Sequence, residues 1–378
     1  MKKISIKELL ETPYDALNKR FPFEIYGMTR DELRSLYKME MVKQSIKNNK
    51  NLLQKENAEY ADIIKELEER VRAAEEMKEL AINLAKTPQI FKIEPKIPSG
   101  NSESVAFMVA SDWHIGERVD EEQVNGLNKF TPEIAKTRAI NFFSGGQRLW
   151  DILRRDTQIK VIVLALLGDF INNTIHDDAK ESNLIGNVSA IRQAQDLIVS
   201  GINFLLEHTD AELKVVCASG NHGRMTDKQR IATEAENSIE NYMYHNIASI
   251  FKDEKRISFI VSEAYHSYIN LWDKYTVRLH HGHFIKYGGG IGGIYIPVNK
   301  AIDQWNKEKS PLHERVDLDV FGHFHQYIDA GNFVSNGSLI GYNSYAISIK
   351  APYERPQQAF FLVNRKYASK TMVTPIIV

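Results

Sequence analysis

The sequence predicts an α/β fold of layered, buried strands behind a long helical extension, and three observations carry that reading. Six short apolar runs, "VAFMVASD", "IKVIVLALLGD", "ELKVVCASG", "ISFIVSE", "YTVRLHHG" and "VDLDVFGH", are separated by helical stretches, and runs this length rich in Val, Ile and Leu suit strands buried on both faces. Residues 39–86 are rich in Lys, Glu, Ala and Leu and hold no Gly or Pro, which favours one continuous helix. Residues 87–104 gather Pro88, Pro95, Pro98, Gly100 and several serines, the composition of a linker.

Taken in order, residues 1–38 form a small helical module. Within it, "MTRDELRSLY" places Glu32 three residues after Thr29, a capping box that opens a helix. In the long helix, Leu53, Tyr60, Leu67, Ala74 and Ala81 fall seven apart, with Ile63, Met77 and Leu84 in the companion row. Glu56 and Arg70 interrupt that row, so a coiled coil is expected but not a perfect one. A helix this polar elsewhere needs a partner for its stripe, either a second protomer or the folded body. The linker then leads to one domain over residues 105–378.

Composition narrows the function classes. The 378 residues are 43% hydrophobic, enough for a substantial core. Lys and Arg number 48 against 49 Asp and Glu, so no overall field recruits nucleic acid or membrane, and any polyanion must be bound locally. Cys217, alone in the sequence, excludes an intrachain disulfide and a multi-cysteine zinc site; its apolar surroundings mark it as a small core residue. No apolar run approaches the roughly 18 residues of a membrane span, and charged residues break up the N-terminal stretch where a signal peptide would need an apolar core. A cytoplasmic protein is expected.

Groups able to bind metal recur where the apolar runs end. "VASDWHIGE" supplies Asp112 and His114, which share a side if the strand persists. "LALLGDFINN" supplies Asp169, with Asn172 beyond it; "VCASGNHGR" supplies Asn221 and His222; "LDVFGHFHQ" supplies His323 and His325. Each alone reads as a turn or a packing residue. Together they carry more, because neighbouring strand ends in an α/β sheet converge on one crevice. Carboxylates, imidazoles and an amide without thiolates suit divalent Mn, Fe, Ni or Zn, and a carboxylate able to bridge makes two ions more plausible than one.

The ordered series Asp112-Trp113-His114, Gly168-Asp169-x-x-Asn172, Gly220-Asn221-His222, His281-Gly282 and Gly322-His323-x-His325 resembles the calcineurin-like metallophosphoesterase superfamily over about residues 105–345. The resemblance implies a two-sheet β-sandwich flanked by helices. It implies that Asp112, His114 and His325 hold one metal, that Asn221, His281 and His323 hold the other, and that Asp169 bridges them. His222 would contact the phosphate and protonate the leaving oxygen. Independently of family, two cations about 3.5–4 Å apart can share a water, lower its pKa and hold a phosphate for in-line attack. A histidine can supply the leaving oxygen's proton near neutral pH.

The chain also departs from the family pattern. Gly223 and Arg224 follow Gly-Asn-His where the family has Asp or Glu, which leaves His222 without one common orienting partner. "GDFINN" also lacks the Asp-Arg-Gly of protein phosphatases. Arg224 either binds phosphate or is a solvated arginine. Trp113 either stacks on a base or packs against the sheet.

In "VRLHHGH", Val277, Leu279 and His281 alternate onto one face, and His280 points the other way. His283 is left for substrate or supporting contacts. The glycines of "KYGGGIGGIYIP", including 288–293, suit a hinge beside the site. The late segment "SNGSLIGYNSYAISIKAPYERPQQAFFLV" is similar to repair-exonuclease-like phage and bacterial enzymes. The expected function is a dimetal phosphodiesterase or nuclease acting on DNA, with Mn²⁺ first among the cofactors and a homodimer or higher oligomer through residues 39–86. The alternatives are a phosphoesterase for small substrates and a non-catalytic scaffold of the same fold.

Overall fold

A computed structural model describes residues 29–84, 102–175, 177–287, 292–309 and 315–378, together with positions 8, 11–13 and 16. Most of the expected N-terminal module, most of the linker and residues 288–291, with the glycines at 288–290, lie outside the described residues. The chain divides into two units, Met1–Pro95 and Lys96–Val378.

In the first unit, helix α1 runs over Arg30–Leu84 without a break at residue 38. At about 1.5 Å per residue its 55 residues span roughly 80 Å. The capping box is present: the Thr29 amide and hydroxyl both donate to Glu32 Oε2, at 2.7 and 2.8 Å, and the Glu32 amide donates back to Thr29 Oγ1 at 3.4 Å. Leu53, Tyr60, Ile63, Leu67 and Met77 are exposed along the helix. The side chains of Ala81 and Leu84 lie outside the described residues.

The second unit contains, in order, β1 (Glu103–Ala110), α2 (Pro132–Leu153), β2 (Gln158–Leu166), α3 (Asp177–Ser182), α4 (Asn187–His208), β3 (Glu212–Cys217), α5 (Ile239–Ile250), β4 (Ile257–Val261), β5 (Ser267–Leu271), β6 (Tyr275–Leu279), α6 (Tyr295–Lys309), β7 (Leu318–Phe321), β8 (Ile328–Asp329), β9 (Phe333–Ser335), α7 (Ser344–Ser348), β10 (Gln357–Asn364) and β11 (Ser369–Ile377). Each of the six apolar runs forms a strand. One sheet has the order β11-β10-β1-β2-β3-β4, the other β5-β6-β7-β9-β8. Strands β1 to β4 are parallel, as are β6, β7 and β9; β5, β8, β10 and β11 add antiparallel pairs. This is the two-sheet, helix-flanked α/β architecture that the resemblance implied.

The continuous apolarity of the strands now has a cause. Side chains alternate across a strand, so Val105, Phe107 and Val109 of β1 enter a core shared with Val277, Leu279, Leu318 and Val320 of the facing sheet. Ala106, Met108 and Ala110 enter another core, against Phe142, Phe143, Ile198, Ile202, Tyr244 and Ile247 of α2, α4 and α5. A third, smaller core sets Val298 and Ile302 of α6 against Phe321 and Phe333 on the outer face of the second sheet. Strands buried on both faces need apolar residues at every position. Cys217 is buried in the helix-side core, and that burial pushes its thiol well above the usual range.

Candidate metal centre

Seven residues singled out in the sequence meet where β1, β2, β3, β6 and β7 end. The strands stop before the ligands do: β1 ends at Ala110, β2 at Leu166 and β7 at Phe321. Asp112 and His114 therefore do not share a side by strand alternation, which corrects that expectation. They are aimed by backbone conformation. Asp112, His114, Asp169, His323 and His325 all have φ between 49° and 67°, a region that costs a non-glycine residue about 1–3 kcal/mol unless its surroundings over-determine it. Those surroundings are hydrogen bonds between the loops: Asp112 N to the Gly168 carbonyl (3.0 Å), His114 N to the Asp169 carbonyl (3.0 Å) and Gly322 N to the His281 carbonyl (2.9 Å).

Close approach also demands glycine at one contact. A Cβ on Gly168, itself at φ 85°, would lie 2.2 Å from the Gly220 amide nitrogen, and a Cβ on Gly220 would lie 2.1 Å from Asp169 Oδ1. The Gly-Asp and Gly-Asn-His turns can touch only because both glycines lack side chains.

Three groups of potential ligands result, each with its donor atoms within 4.8 Å of one another: Asp112, His114 and His325; His114, Asp169 and His222; and Asp169, His281 and His323. His281 Nδ1 donates to the Leu167 carbonyl at 2.6 Å, which turns Nε2 toward Asp169 Oδ2 at 2.9 Å. His114 Nδ1 lies 3.2 Å from Asn172 Oδ1, and its Nε2 faces His325 Nε2 at 3.1 Å. His325 Nε2 is 3.3 Å from Asp112 Oδ1, whose carboxylate also accepts the His323 amide at 3.0 Å and the Ser111 hydroxyl. Asn221 is buried, and its Oδ1 has no hydrogen-bond donor among the described residues.

The electrostatics suit cations. Burial works to raise the pKa of Asp169, but His281, His222 and His114 hold it well below the usual carboxylate range. Burial opposes a charge on His281, yet Asp169 raises its pKa to about 10. Burial and then neighbouring histidines push His114 and His323 well below their usual range, so both rings are neutral, the form that ligates metal. An orphaned amide oxygen, opposed imidazole nitrogens and a charged carboxylate between them make a donor set that fits two divalent ions. Asp112, His114 and His325 would hold one and Asp169, His281 and His323 the other; Asp169 also groups with His114, and Asn221 belongs to the turn that touches Asp169.

The remaining predicted residues fall differently. His222 lies against His114, ring centroids 4.6 Å apart; its amide donates to Asp169 Oδ1 at 2.7 Å and its Nδ1 to the Asn172 carbonyl at 2.7 Å. A backbone carbonyl thus orients the ring, although no carboxylate follows it in the chain. Trp113 is fully buried, its Nε1 donates to Gln358 Oε1 at 3.2 Å and its ring packs edge-on to Phe170. It has no face left for a base, which corrects the stacking role. Asn172 is buried, with its side chain turned toward His114 and Asn183 and its carbonyl toward His222, so it orients histidines. Two nitrogens of Arg224 donate to the carbonyls of Asn221 (2.7 Å) and Thr226 (3.2 Å) and so hold the loop together. His283 sits 2.8 Å from Glu234 and 5.5 Å, ring to ring, from His281. His280 turns to the opposite face and stacks on Phe321.

Sequence reasoning missed Glu240, Ser111 and Asn336. Asn336 Nδ2 donates to Ser111 Oγ at 2.8 Å and so supports Asp112 from behind. Glu240 had a readable signal: it precedes Met243, Tyr244 and Ile247 by three, four and seven residues, on the buried stripe of α5. A charge on such a stripe needs a reason.

No protein-family profile matches the chain, and no curated protein sequence matches it. Among solved structures, Vps29 of Chaetomium thermophilum is similar at 11% identity over 72% of this chain and 96% of that one, with a TM-score of 0.29. A dimetal phosphatase from Danio rerio shows 10% identity over 72% and 98%, TM-score 0.34. Protein TM1076 of Thermotoga maritima shows 12% identity over 72% and 99%, TM-score 0.23. The class defined here is therefore the one the chain itself displays: a two-sheet α/β fold with buried His/Asp clusters at its strand ends that can hold metal.

Proposed function

We propose that the protein is a dimetal phosphoesterase that cleaves phosphodiesters, with DNA the leading substrate and Mn²⁺ the leading metal. The observation that carries the reading is that Asp169 lies within reach of His281 and His323 on one side and of His114 on the other, while His114 also groups with Asp112 and His325. Bound cations would supply Lewis acidity, holding phosphate oxygens and neutralising developing charge. The chain supplies the rest. The Leu167 carbonyl fixes the tautomer of His281 and the Asn172 carbonyl that of His222. His222, beside the ligands, delivers a proton to the leaving oxygen from Nε2.

The test is a metal-supplemented panel of linear duplex DNA, single-stranded DNA, RNA, bis-p-nitrophenyl phosphate and p-nitrophenyl phosphate. Degradation of DNA supports the proposal. Turnover of p-nitrophenyl phosphate alone would point to a small phosphomonoester, and metal uptake without any turnover to a scaffold. Asp169→Asn should reduce turnover to background, since Asp169 groups both with His281 and His323 and with His114; full activity in that variant would sink the two-metal assignment.

A further inference from the structure

The turns that carry Asp169 and Asn221 share a single buried acceptor. Glu240, on the first turn of α5, is fully buried. Its Oε1 accepts the Phe170 amide at 2.6 Å, and its Oε2 accepts the amides of Gly220 at 2.9 Å and Asp169 at 3.2 Å. One carboxylate therefore spans the end of β2 and the end of β3, the two places from which Asp169, Asn221 and His222 project. Removing the acceptor would strand buried N–H groups.

We propose that Glu240 is a positioning residue of the metal centre, holding the Gly168-Asp169 and Gly220-Asn221-His222 turns in the relative placement that lets their side chains ligate together. This rests on the dimetal reading above and extends it to a residue outside every motif. The start of α5 is built to deliver the carboxylate. Ser238 caps the helix by accepting the Asn241 amide at 3.3 Å, the Ile239 amide donates to the Gly223 carbonyl at 2.9 Å, and residues 224 and 238 form a β-bridge. A helix N-terminus also favours a negative charge in its first turn. Tyr244, one turn later on the same face, donates to the Ala218 carbonyl at 3.1 Å and ties α5 to the same strand end.

Gly223 belongs to this arrangement. A Cβ added there would lie 2.8 Å from Glu240 Cγ and Oε2 and 2.9 Å from Cδ. A side chain at position 223 would thus enter the space that the Glu240 carboxylate fills. The glycine at 223 is what leaves room for the Glu240 carboxylate.

The experiment titrates the metal-stripped full chain with Co²⁺, reading stoichiometry and affinity by calorimetry and coordination by the visible absorption band, with thermal melts as a check on folding. Glu240→Gln keeps the size of the side chain but turns one acceptor into a donor facing amides, and should bind Co²⁺ about 10- to 100-fold more weakly at one or both sites, with an altered band. Glu240→Ala should do the same. Gly223→Asp alone should also weaken binding by crowding Glu240, whereas Gly223→Asp combined with Glu240→Ala should recover at least part of the lost affinity. Wild-type affinity and spectrum in Glu240→Gln would overturn the proposal, as would a folded double variant no better than Glu240→Ala; should the alanine variants fail to fold, Glu240→Gln decides. Failure of the wild-type chain to take up Co²⁺ would instead remove the metal-centre reading itself, so the two outcomes are distinguishable.

Discussion

Nδ1 of His222 lies 2.7 Å from the carbonyl oxygen of Asn172. A carbonyl only accepts, so Nδ1 carries a proton and Nε2 is the nitrogen that gains and loses one in turnover. If that proton goes to the leaving oxygen, its value depends on the leaving group. His222→Asn should lower kcat on a DNA phosphodiester by roughly 10²- to 10⁴-fold. On bis-p-nitrophenyl phosphate, whose phenolate leaves without a proton, the loss should be much smaller. Equal losses on both substrates would show that His222 acts otherwise.

Adjacent histidines should behave oppositely. His281 Nε2 is 2.9 Å from Asp169 Oδ2 in the ligand cluster, whereas His280 stacks on Phe321 at 5.2 Å between ring centroids. His281→Ala should abolish one metal site with its activity. His280→Ala should keep metal stoichiometry and lose about 2–4 kcal/mol of stability through the cavity it leaves. Calorimetric metal titration and denaturant unfolding of both variants separate the two roles, and loss of metal from His280→Ala would contradict the assignment.

The outer face of the second sheet should weaken the fold in acid. His266 packs against Trp305 at 4.5 Å between ring centroids and adjoins Tyr265, Tyr268 and His280. Nearby, Arg278 is paired with Asp319, which also lies 3.4 Å from His280. Burial, then His280, Arg278 and Lys309, hold the His266 pKa down to about 2. An unfolded histidine titrates near 6.5. Between those values the unfolded chain binds a proton that the native ring refuses, so stability falls as pH drops below about 6.5, by at most ~1.4 kcal/mol per pH unit from this group. His266→Gln should flatten that slope between about pH 6.5 and 4.5 in denaturant unfolding and leave it unchanged above about pH 7. An unaltered acid slope would contradict the assignment.

Helix α1 is electrically lopsided. Residues 38–55 carry five lysines and one glutamate, and residues 56–79 carry nine acidic and four basic side chains. Leu53, Tyr60 and Leu67 are exposed on its seven-residue stripe. An antiparallel second copy would cover the stripe and set each basic half against an acidic one. Light scattering should report a dimer that salt weakens. Energy transfer should be stronger between dyes on Gln44→Cys and Glu76→Cys of different copies than between two copies labelled at Gln44→Cys. A monomer, or the reverse order of transfer, would rule this pairing out.

Much of the architecture was legible because its signals are local. Buried strands write themselves as apolar runs, so β1, β2, β3, β4, β6 and β7 could all be read, and Thr29 and Glu32 announced the start of α1. Strands β5, β8 and β9 were harder: β8 and β9 have two and three residues, too few for a period to register. Asp112, Asp169, His281 and His323 stood out because each follows an apolar run or shares a short motif. Trp113 was ambiguous, since nothing in its neighbours says which way a residue beyond a strand end will face.

Sequence by itself determined which chemical groups stand at the strand ends and in what order: carboxylate and imidazole after β1, carboxylate after β2, amide and imidazole after β3, imidazoles after β6 and β7. Tertiary structure alone decided how they meet. Five of the candidate ligand residues take positive φ, and bonds between loops distant in sequence hold Asp112, His114, Asp169 and His323 there. Trp113 is sealed by Gln358, and the turns of Asp169 and Asn221 are joined by Glu240 from another element. Periodicity and spacing record only what near neighbours impose, whereas strained backbone and shared buried acceptors exist only once remote segments have packed together.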